Sequence, residues 1–288
     1  MRSRANTSMG GLGRASVAPT ERASARALPR AIHRASVRTR AVALPPESRE
    51  EAIDQARRAL SVGLGRSVEV KGSEKSVLKR ISRGSKRLIV DFPLQDESAA
   101  SVAGLASEIL DGITSEKTVL AFGDREACRQ AEALNLANCF FVEDAVPKKL
   151  KASSLVLVGV TESQAGLQLG GSRWTSVVLL NPKGNFTEKT SKLASSFDTA
   201  YQFLPLLVQG FLGSKAEGAL FKCLTEDDEN GEGSKWNIFL KEGSSFKRVA
   251  AQDSRPDQDE LELALYNNVA QNNPLIKGAK AVKGLFSK

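Results

Sequence analysis

Short apolar runs alternate with helical patterns through the middle of the chain, and this alternation limits the possible fold more than any other feature. Runs rich in Val, Ile, Leu and Phe are typical of parallel strands buried on both faces, and helices between such strands are typical of layered α/β folds. The predicted strands are 87–92, 118–122, 139–142, 155–160 and 176–180, and the helices that precede or separate them are 48–64, 98–113, 124–136 and 162–169. The sequence predicts a three-layer α/β fold, with a mostly parallel sheet flanked by helices.

The pattern changes in the last third of the chain. Three short apolar segments joined by loops are typical of an antiparallel meander, and a helix is predicted after them. These segments are 218–224, 236–240 and 246–250, and the helix is 257–269. The apolar segment 203–208, which precedes the meander, is interpreted as helical. We expect a single domain over residues 42–272 whose parallel sheet is extended by the meander.

Residues 1–41 differ from the rest of the chain in composition. The first 40 residues contain nine arginines, no lysine and one acidic residue, Glu21, with Ser and Thr throughout. Such a segment cannot bury a core, and Arg- and Ser-rich, acid-poor N-termini are recognised by organelle import receptors. We predict that residues 1–41 are a disordered chloroplast transit peptide. A basic arm that binds nucleic acid and a mitochondrial import signal are the alternatives that composition leaves open.

Removal of this leader would change the charge of the protein. The whole chain has 41 basic and 33 acidic residues, a net charge of +8. Residues 1–40 account for all of that excess, so the body of the chain, residues 41–288, carries 32 residues of each sign. A body without net charge is not drawn to polyanions, and we expect no nucleic-acid partner.

The only histidine, His33, lies in the leader. The body therefore has no imidazole for acid–base catalysis, for a Ser-His-Asp triad or for a metal site. It also lacks Gly-x-x-x-x-Gly-Lys-Ser/Thr and, after a strand, Gly-x-Gly-x-x-Gly, which are the usual phosphate-binding motifs. These features favour a protein that is not an enzyme, and we assign no catalytic residue, no metal and no cofactor.

Three cysteines, Cys128, Cys139 and Cys223, are too few and too widely spaced for a disulfide framework or a thiolate zinc site. We predict that they are buried and behave as small apolar residues. A redox pair formed by Cys128 and Cys139 is the alternative.

Four polar residues lie at or just after the ends of predicted strands. They are Asp91, Asp124, Asn181 and Lys183. Because open α/β sheets bind ligands at the carboxyl ends of their strands, we name these four as candidate ligand-binding residues. In the alternative interpretation, Asp124 caps a helix, Asn181 shapes the turn before Pro182, and Asp91 is solvated.

The C-terminal tail, residues 273–288, is basic and amphipathic. Apolar residues recur at helical spacing between lysines, and the candidates for contact with a membrane or a partner are Ile276, Lys277, Lys280, Lys283 and Phe286. Such a helix can dock on its own domain, lie on an anionic membrane surface or enter a groove on a partner protein. No apolar run reaches the roughly 18 residues of a membrane span, so we expect no transmembrane segment.

Several segments together resemble one protein family. The resemblance begins at Pro46 and ends near residue 270. It is most specific at the strand that ends in Leu-Asn-Pro, together with the aromatic segment and the Trp strand that follow it. The segments are the helix 48–60, the strand 87–93, the strand end 120–124, Ser-Val-Val-Leu-Leu-Asn-Pro at 176–182, residues 197–204 with Tyr201, Trp236, and the helix 259–266. In these segments the chain resembles the DUF1995 family of plants, algae and cyanobacteria.

The resemblance implies a plastid protein. One plant member resembles an assembly factor for photosystem II, associated with low photosystem II accumulation, and in another member the domain is attached to a plastid adenylate kinase. This chain has no kinase phosphate loop, so we do not expect kinase activity. We expect a non-enzymatic chloroplast interaction protein, stromal or peripheral to the thylakoid, that assists assembly or stability of a photosynthetic complex. The alternative is an α/β domain that binds a small molecule or nucleotide, including a carboxylate-dependent enzyme.

Overall fold

The computed structural model describes residues 43–65, 86–144, 151–170, 174–184, 191–209, 215–225 and 235–272. The chain divides into two units, Met1–Thr39 and Arg40–Lys288, and all of the described residues belong to the second. The predicted transit peptide and the C-terminal tail lie outside the described residues.

The strands of the described chain form one mixed sheet of nine. In spatial order they are β3 (Cys139–Phe141), β2 (Thr118–Phe122), β4 (Ser154–Val158), β5 (Ser176–Leu180), β1 (Lys86–Asp91), β6 (Asp198–Gln209), β7 (Lys215–Cys223), β8 (Trp236–Glu242) and β9 (Ser245–Gln252). Pairing is parallel from β3 to β6 and antiparallel from β6 to β9. The predicted mostly parallel sheet with an antiparallel C-terminal extension is confirmed.

Helices lie on both faces of this sheet. On one face are α1 (Arg49–Leu64), α2 (Ala99–Leu110) and α3 (Arg125–Ala133), and on the other are α4 (Glu162–Leu169), the short 3₁₀ helix Ala194–Ser196 and α5 (Gln258–Asn272). Side chains of each strand alternate between the two faces. Leu88 and Val90 of β1 pack with α1 and α2, whereas Ile89 packs on the α4 side. The predicted three layers are confirmed.

Polar caps determine where the helices begin. Ser48, Ser98, Asp124 and Thr161 each accept a hydrogen bond from the backbone N–H three residues later, which satisfies one of the unpaired donors of the first helical turn. Because α2, α3 and α4 each follow a parallel strand, their N-termini all lie at the edge where those strands end. Each helix in the described part of the chain is too short or too polar to cross a lipid bilayer.

The segment 203–208 is part of strand β6, so its helical interpretation was wrong. Phe203 pairs with Phe221 and Leu206 with Gly218 of β7. A short run that is apolar at every position has no period that distinguishes helix from strand. Pairing with β7, which follows later in the chain, decides the conformation.

Strands β6–β9 rise beyond the end of β1. Asp91, the last residue of β1, lies opposite Gln202, whereas β6 continues to Gln209. Seven further residues at about 3.3 Å each extend this part by about 23 Å. We call it the upper sheet: residues 203–209 of β6 together with the parts of β7–β9 that pair alongside them. Leu261 and Leu265 of α5 pack on one of its faces.

Candidate functional site

The parallel strands end at one edge of the sheet, and the chain leaves two of them in opposite directions. After β2 the chain passes through α3 to β3, the strand at the edge of the sheet. After β4 it passes through α4 to β5, which lies toward the middle of the sheet. Neighbouring strands with diverging connections leave a crevice at their carboxyl ends, which is where open α/β sheets bind ligands. This edge is therefore the first place to look for a site.

A cleft with a volume of about 390 Å³ lies at this edge, with a smaller extension of about 50 Å³. We call the two together the strand-end cleft. Asp91, Asn181 and Lys183 line the main part, Asp124 and Lys183 line the extension, and Glu97 lines both. The structure thus brings the four candidate residues to one place. Their role in binding a ligand stays a prediction, and Glu97 is a residue that the sequence analysis missed.

Asn181 connects the ends of two strands. Its side-chain oxygen accepts a hydrogen bond from the Phe92 N–H at 2.9 Å, and its side-chain N–H donates to the Phe92 carbonyl oxygen at 2.6 Å. The residue has a φ of 45°, in the left-handed region that Asn tolerates better than most residues. Asn181 therefore has a structural role at the cleft, since it holds the end of β5 against the end of β1.

The side chain of Asp124 makes a hydrogen bond that stabilises the fold, whereas the side chain of Lys183 is exposed. Asp124 Oδ1 accepts a hydrogen bond from the Ala127 N–H at 2.8 Å and caps α3, as the alternative interpretation predicted. Lys183 uses its backbone N–H to bind the Val160 carbonyl oxygen at 2.8 Å, while its side chain is exposed. Lys183 therefore presents a cation to the cleft without disturbing the fold.

Asp91 is half-buried, so the interpretation of it as a solvated residue was wrong. Its Oδ2 accepts a hydrogen bond from Gln202 Nε2 at 2.5 Å. Burial raises the pKa of Asp91, and the Gln202 hydrogen bond and the positive charge of Arg255 offset only part of that increase. Gln202 and Arg255 come from distant parts of the chain, so no local sequence pattern could have identified them as neighbours of Asp91.

The three cysteines are buried, as predicted. Burial raises the pKa of both Cys139 and Cys223 to about 12, and that of Cys128 is also raised. A thiol that remains protonated is a weak nucleophile. The redox pair of Cys128 and Cys139 stays a prediction. Within the described residues, no group of three or more His, Cys, Asp and Glu side chains could hold a metal ion.

A larger depression lies on the other side of the loop 92–94 and has a volume of about 500 Å³. We call it the α1 groove, since it runs between the N-terminus of α1, helix α2 and the upper sheet. Buried and half-buried apolar side chains form its floor, and exposed polar side chains form its rim. The floor includes Ala52, Phe92, Leu94 and Phe203, and the rim includes Glu47, Arg49, Gln95 and Asp96.

Sequence analysis missed the α1 groove because three separate segments form it. Residues near 46–52, 92–104 and 203 are far apart in the chain, and their apolar members look like ordinary core residues. The tail candidates Ile276, Lys277, Lys280, Lys283 and Phe286 lie outside the described residues, so the structure does not place them relative to either site.

Comparison with known proteins identifies a family whose model matches most of the chain. A family model described as a domain of unknown function (DUF1995) matches residues 46–263. No curated protein and no solved structure matches the chain. Apart from residues 264–266 of the last helix, the match includes the segments on which the resemblance was based, so that resemblance is confirmed.

Proposed function

Since the chain belongs to the DUF1995 family, we propose that it is a non-enzymatic chloroplast protein that binds a protein partner and assists the assembly or stability of a photosynthetic complex. The chloroplast location is supported by the composition of residues 1–41 and by the plastid and cyanobacterial membership of the family. The α1 groove is the observation that carries the binding role.

The α1 groove has the anatomy of a protein-binding surface. Interfaces combine an apolar centre with a polar, solvent-accessible rim, and the groove places Phe92, Leu94 and Phe203 beneath the exposed Glu47 and Asp96. In the strand-end cleft, by contrast, two of the four candidate side chains already serve the fold: Asn181 binds Phe92 and Asp124 caps α3. The groove therefore supports a binding function better than the cleft supports a reaction.

Gly104 offers a way to fill the groove without removing any contact. It lies on α2, lines the α1 groove, and a Cβ added there would meet no atom within 4 Å. Gly166 on α4 is the matched control, because a Cβ there also meets no atom within 4 Å and the helix lies on the opposite face of the sheet. Gly104→Trp and Gly166→Trp thus add the same side chain to two helices, of which only one borders the groove.

The test is affinity purification of the tagged full chain from chloroplasts. We expect the wild type and Gly166→Trp to recover the same subunit or assembly intermediate of a photosynthetic complex, and Gly104→Trp to lose it. Recovery by Gly104→Trp at the wild-type level would contradict the role of the groove. Failure of the wild type to recover any such component would contradict the proposed function.

A small-molecule or nucleotide-binding role is a second candidate, because the strand-end cleft collects Asp91, Asp124, Asn181 and Lys183 at one edge. The test is a thermal shift of the purified chain with a panel of nucleotides, since a ligand that binds only the folded state stabilises it. We expect any shift to be smaller in Lys183→Gln, whose exposed side chain contributes little to the fold. A panel without any shift would contradict nucleotide binding.

A further inference from the structure

Among the described residues, the rim of the α1 groove carries more negative than positive charge. Glu47 and Asp96 are exposed on the rim, and Glu50 and Glu51 lie in the first turn of α1 beside it. Hydrogen bonds from Ser98 and Ser101 lower the pKa of Asp96, so it stays ionised. The described rim also includes Arg49, but its Nη1 already lies 2.7 Å from Glu108 Oε2. An occupant of this groove should therefore be apolar on one side and positively charged on the other.

The C-terminal tail of the same chain has this chemistry. Residues 273–288 contain four lysines and no acidic residue, and their apolar members recur at helical spacing: Leu275, Ile276, Ala279, Val282 and Phe286. An apolar stripe between lysines would match the apolar floor and the acidic rim at the same time. Charge and apolar character are thus complementary between the groove and the tail.

The end of α5 puts the tail within reach of the groove. Strand β9 ends at Gln252 beside Trp236, at the lower end of the upper sheet, and Leu265 packs beside Gly218 further up. Helix α5 therefore runs in the direction of the upper edge of the sheet, and its last residue is Asn272. The 16 residues that follow span about 24 Å as a helix and up to about 50 Å when extended. A tail that is extended in its first residues and helical in the rest is therefore long enough to pass over that edge to the face that bears the groove.

We propose that the tail, residues 273–288, docks in the α1 groove of its own chain and occupies it when no partner is bound. A partner that enters the groove must then displace the tail, so the tail acts as an autoinhibitory segment. This regulatory meaning rests on the proposed function, but the contact itself does not, because it can be measured in the purified chain alone.

The experiment is zero-length carbodiimide cross-linking of the purified full chain, followed by peptide mass spectrometry. The reagent joins only lysines and carboxylates that are in contact. We expect Lys277, Lys280 or Lys283 to be joined to Glu47 or Asp96. The equilibrium constant for docking should fall roughly tenfold in Gly104→Trp if the added side chain costs the contact about 1.4 kcal/mol. The yield of these links should therefore fall in Gly104→Trp and be unchanged in Gly166→Trp.

Mixing isotopically heavy and light protein distinguishes links within a chain from links between two copies. Links found only between copies would assign the groove to the tail of a second copy and overturn the proposal. Tail lysines joined only to other carboxylates, or links of equal yield in Gly104→Trp, would also overturn it. So would an unlinked tail together with co-sedimentation of the chain with phosphatidylcholine vesicles containing phosphatidylglycerol, because the tail would then belong to a membrane surface.

These outcomes are separate from those of the chloroplast purification. A cross-linked tail with no recovered partner would support the docking and contradict the proposed function. A recovered partner with an unlinked tail would support the function and contradict the docking.

Discussion

Asn181 combines two side-chain hydrogen bonds to a neighbouring strand end with a left-handed backbone conformation. Its side chain pairs with both backbone polar groups of Phe92, and its own backbone has a positive φ of 45°. The left-handed backbone region destabilises a residue with a Cβ by roughly 1–2 kcal/mol, and an unpaired buried backbone group destabilises the fold by roughly 1–3 kcal/mol. Two substitutions can therefore separate the hydrogen bonds from the backbone conformation.

We expect Asn181→Ala to lower the free energy of unfolding by about 2–3 kcal/mol, because Phe92 loses two partners and Ala is strained at this φ. Asn181→Gly loses the same hydrogen bonds without the strain, so its loss should be about 1 kcal/mol smaller. Urea unfolding of the two variants and the wild type measures both effects. Wild-type stability in both variants would contradict a structural role for this side chain.

Asp91 should make the stability of the protein depend on pH. Its pKa is raised by burial, so the folded state binds this proton more readily than the unfolded state does. The contribution of Asp91 is most favourable below its unfolded pKa, and it is lost as the pH rises through the folded pKa.

We therefore expect Asp91→Asn to be more stable than the wild type near pH 7, with a difference that shrinks as the pH falls through the raised folded pKa and disappears near the unfolded value of about 4. The amide can still accept the hydrogen bond from Gln202, so the local geometry is retained. Urea unfolding at several pH values between about 3 and 8 measures the difference. A difference that does not vary with pH would contradict the titration of Asp91 in this range.

At the scale of elements, two glycines show how the same substitution can have opposite effects. Gly104 lies inside α2, where a Cβ meets no atom within 4 Å. Gly123 lies between β2 and α3, where a Cβ would collide with the carbonyl oxygen of Gly159 at the end of β4. The first glycine only weakens its helix, whereas the second permits two strand ends to approach closely.

Gly104→Ala is expected to raise the free energy of unfolding by about 0.5–1 kcal/mol, the helix penalty of glycine. Gly123→Ala is expected to lower it by about 1–3 kcal/mol, because the backbone of β4 must move. Thermal or urea unfolding of the two variants tests the opposite signs. A neutral Gly123→Ala would show that the ends of β2 and β4 do not touch as described.

At the scale of the whole molecule, charge is unevenly divided along the chain. Residues 1–40 carry the whole net charge of +8, and the body is balanced. If the leader is an import signal, the protein isolated from chloroplasts should begin near residue 41 and lack Arg14 and His33. Mass spectrometry of its N-terminal peptide checks this, with a reporter fused to residues 1–41 as the complementary test. A native protein that retains His33 would contradict the transit-peptide prediction.

The sequence by itself determined the kinds of elements and much of their order. The strands β1, β2, β4 and β5 and the helices between them follow from the spacing of apolar side chains, which depends only on near neighbours in the chain. The cap at Asp124 could be predicted for the same reason, since its partner, Ala127, is three residues away. The convergence of Asp91, Asp124, Asn181 and Lys183 followed from the rule that parallel strands end at one edge.

Only the tertiary structure decided the features that join distant segments. The pairing of β6 with β7 made 203–208 a strand, and the contact of Asp91 with Gln202, 111 positions later, buried a carboxylate that looks solvated in the sequence. The α1 groove is formed in the same way from three separate segments. Such contacts depend on strand order and on which faces meet, and neither has a signal in local periodicity, because packing between elements determines both.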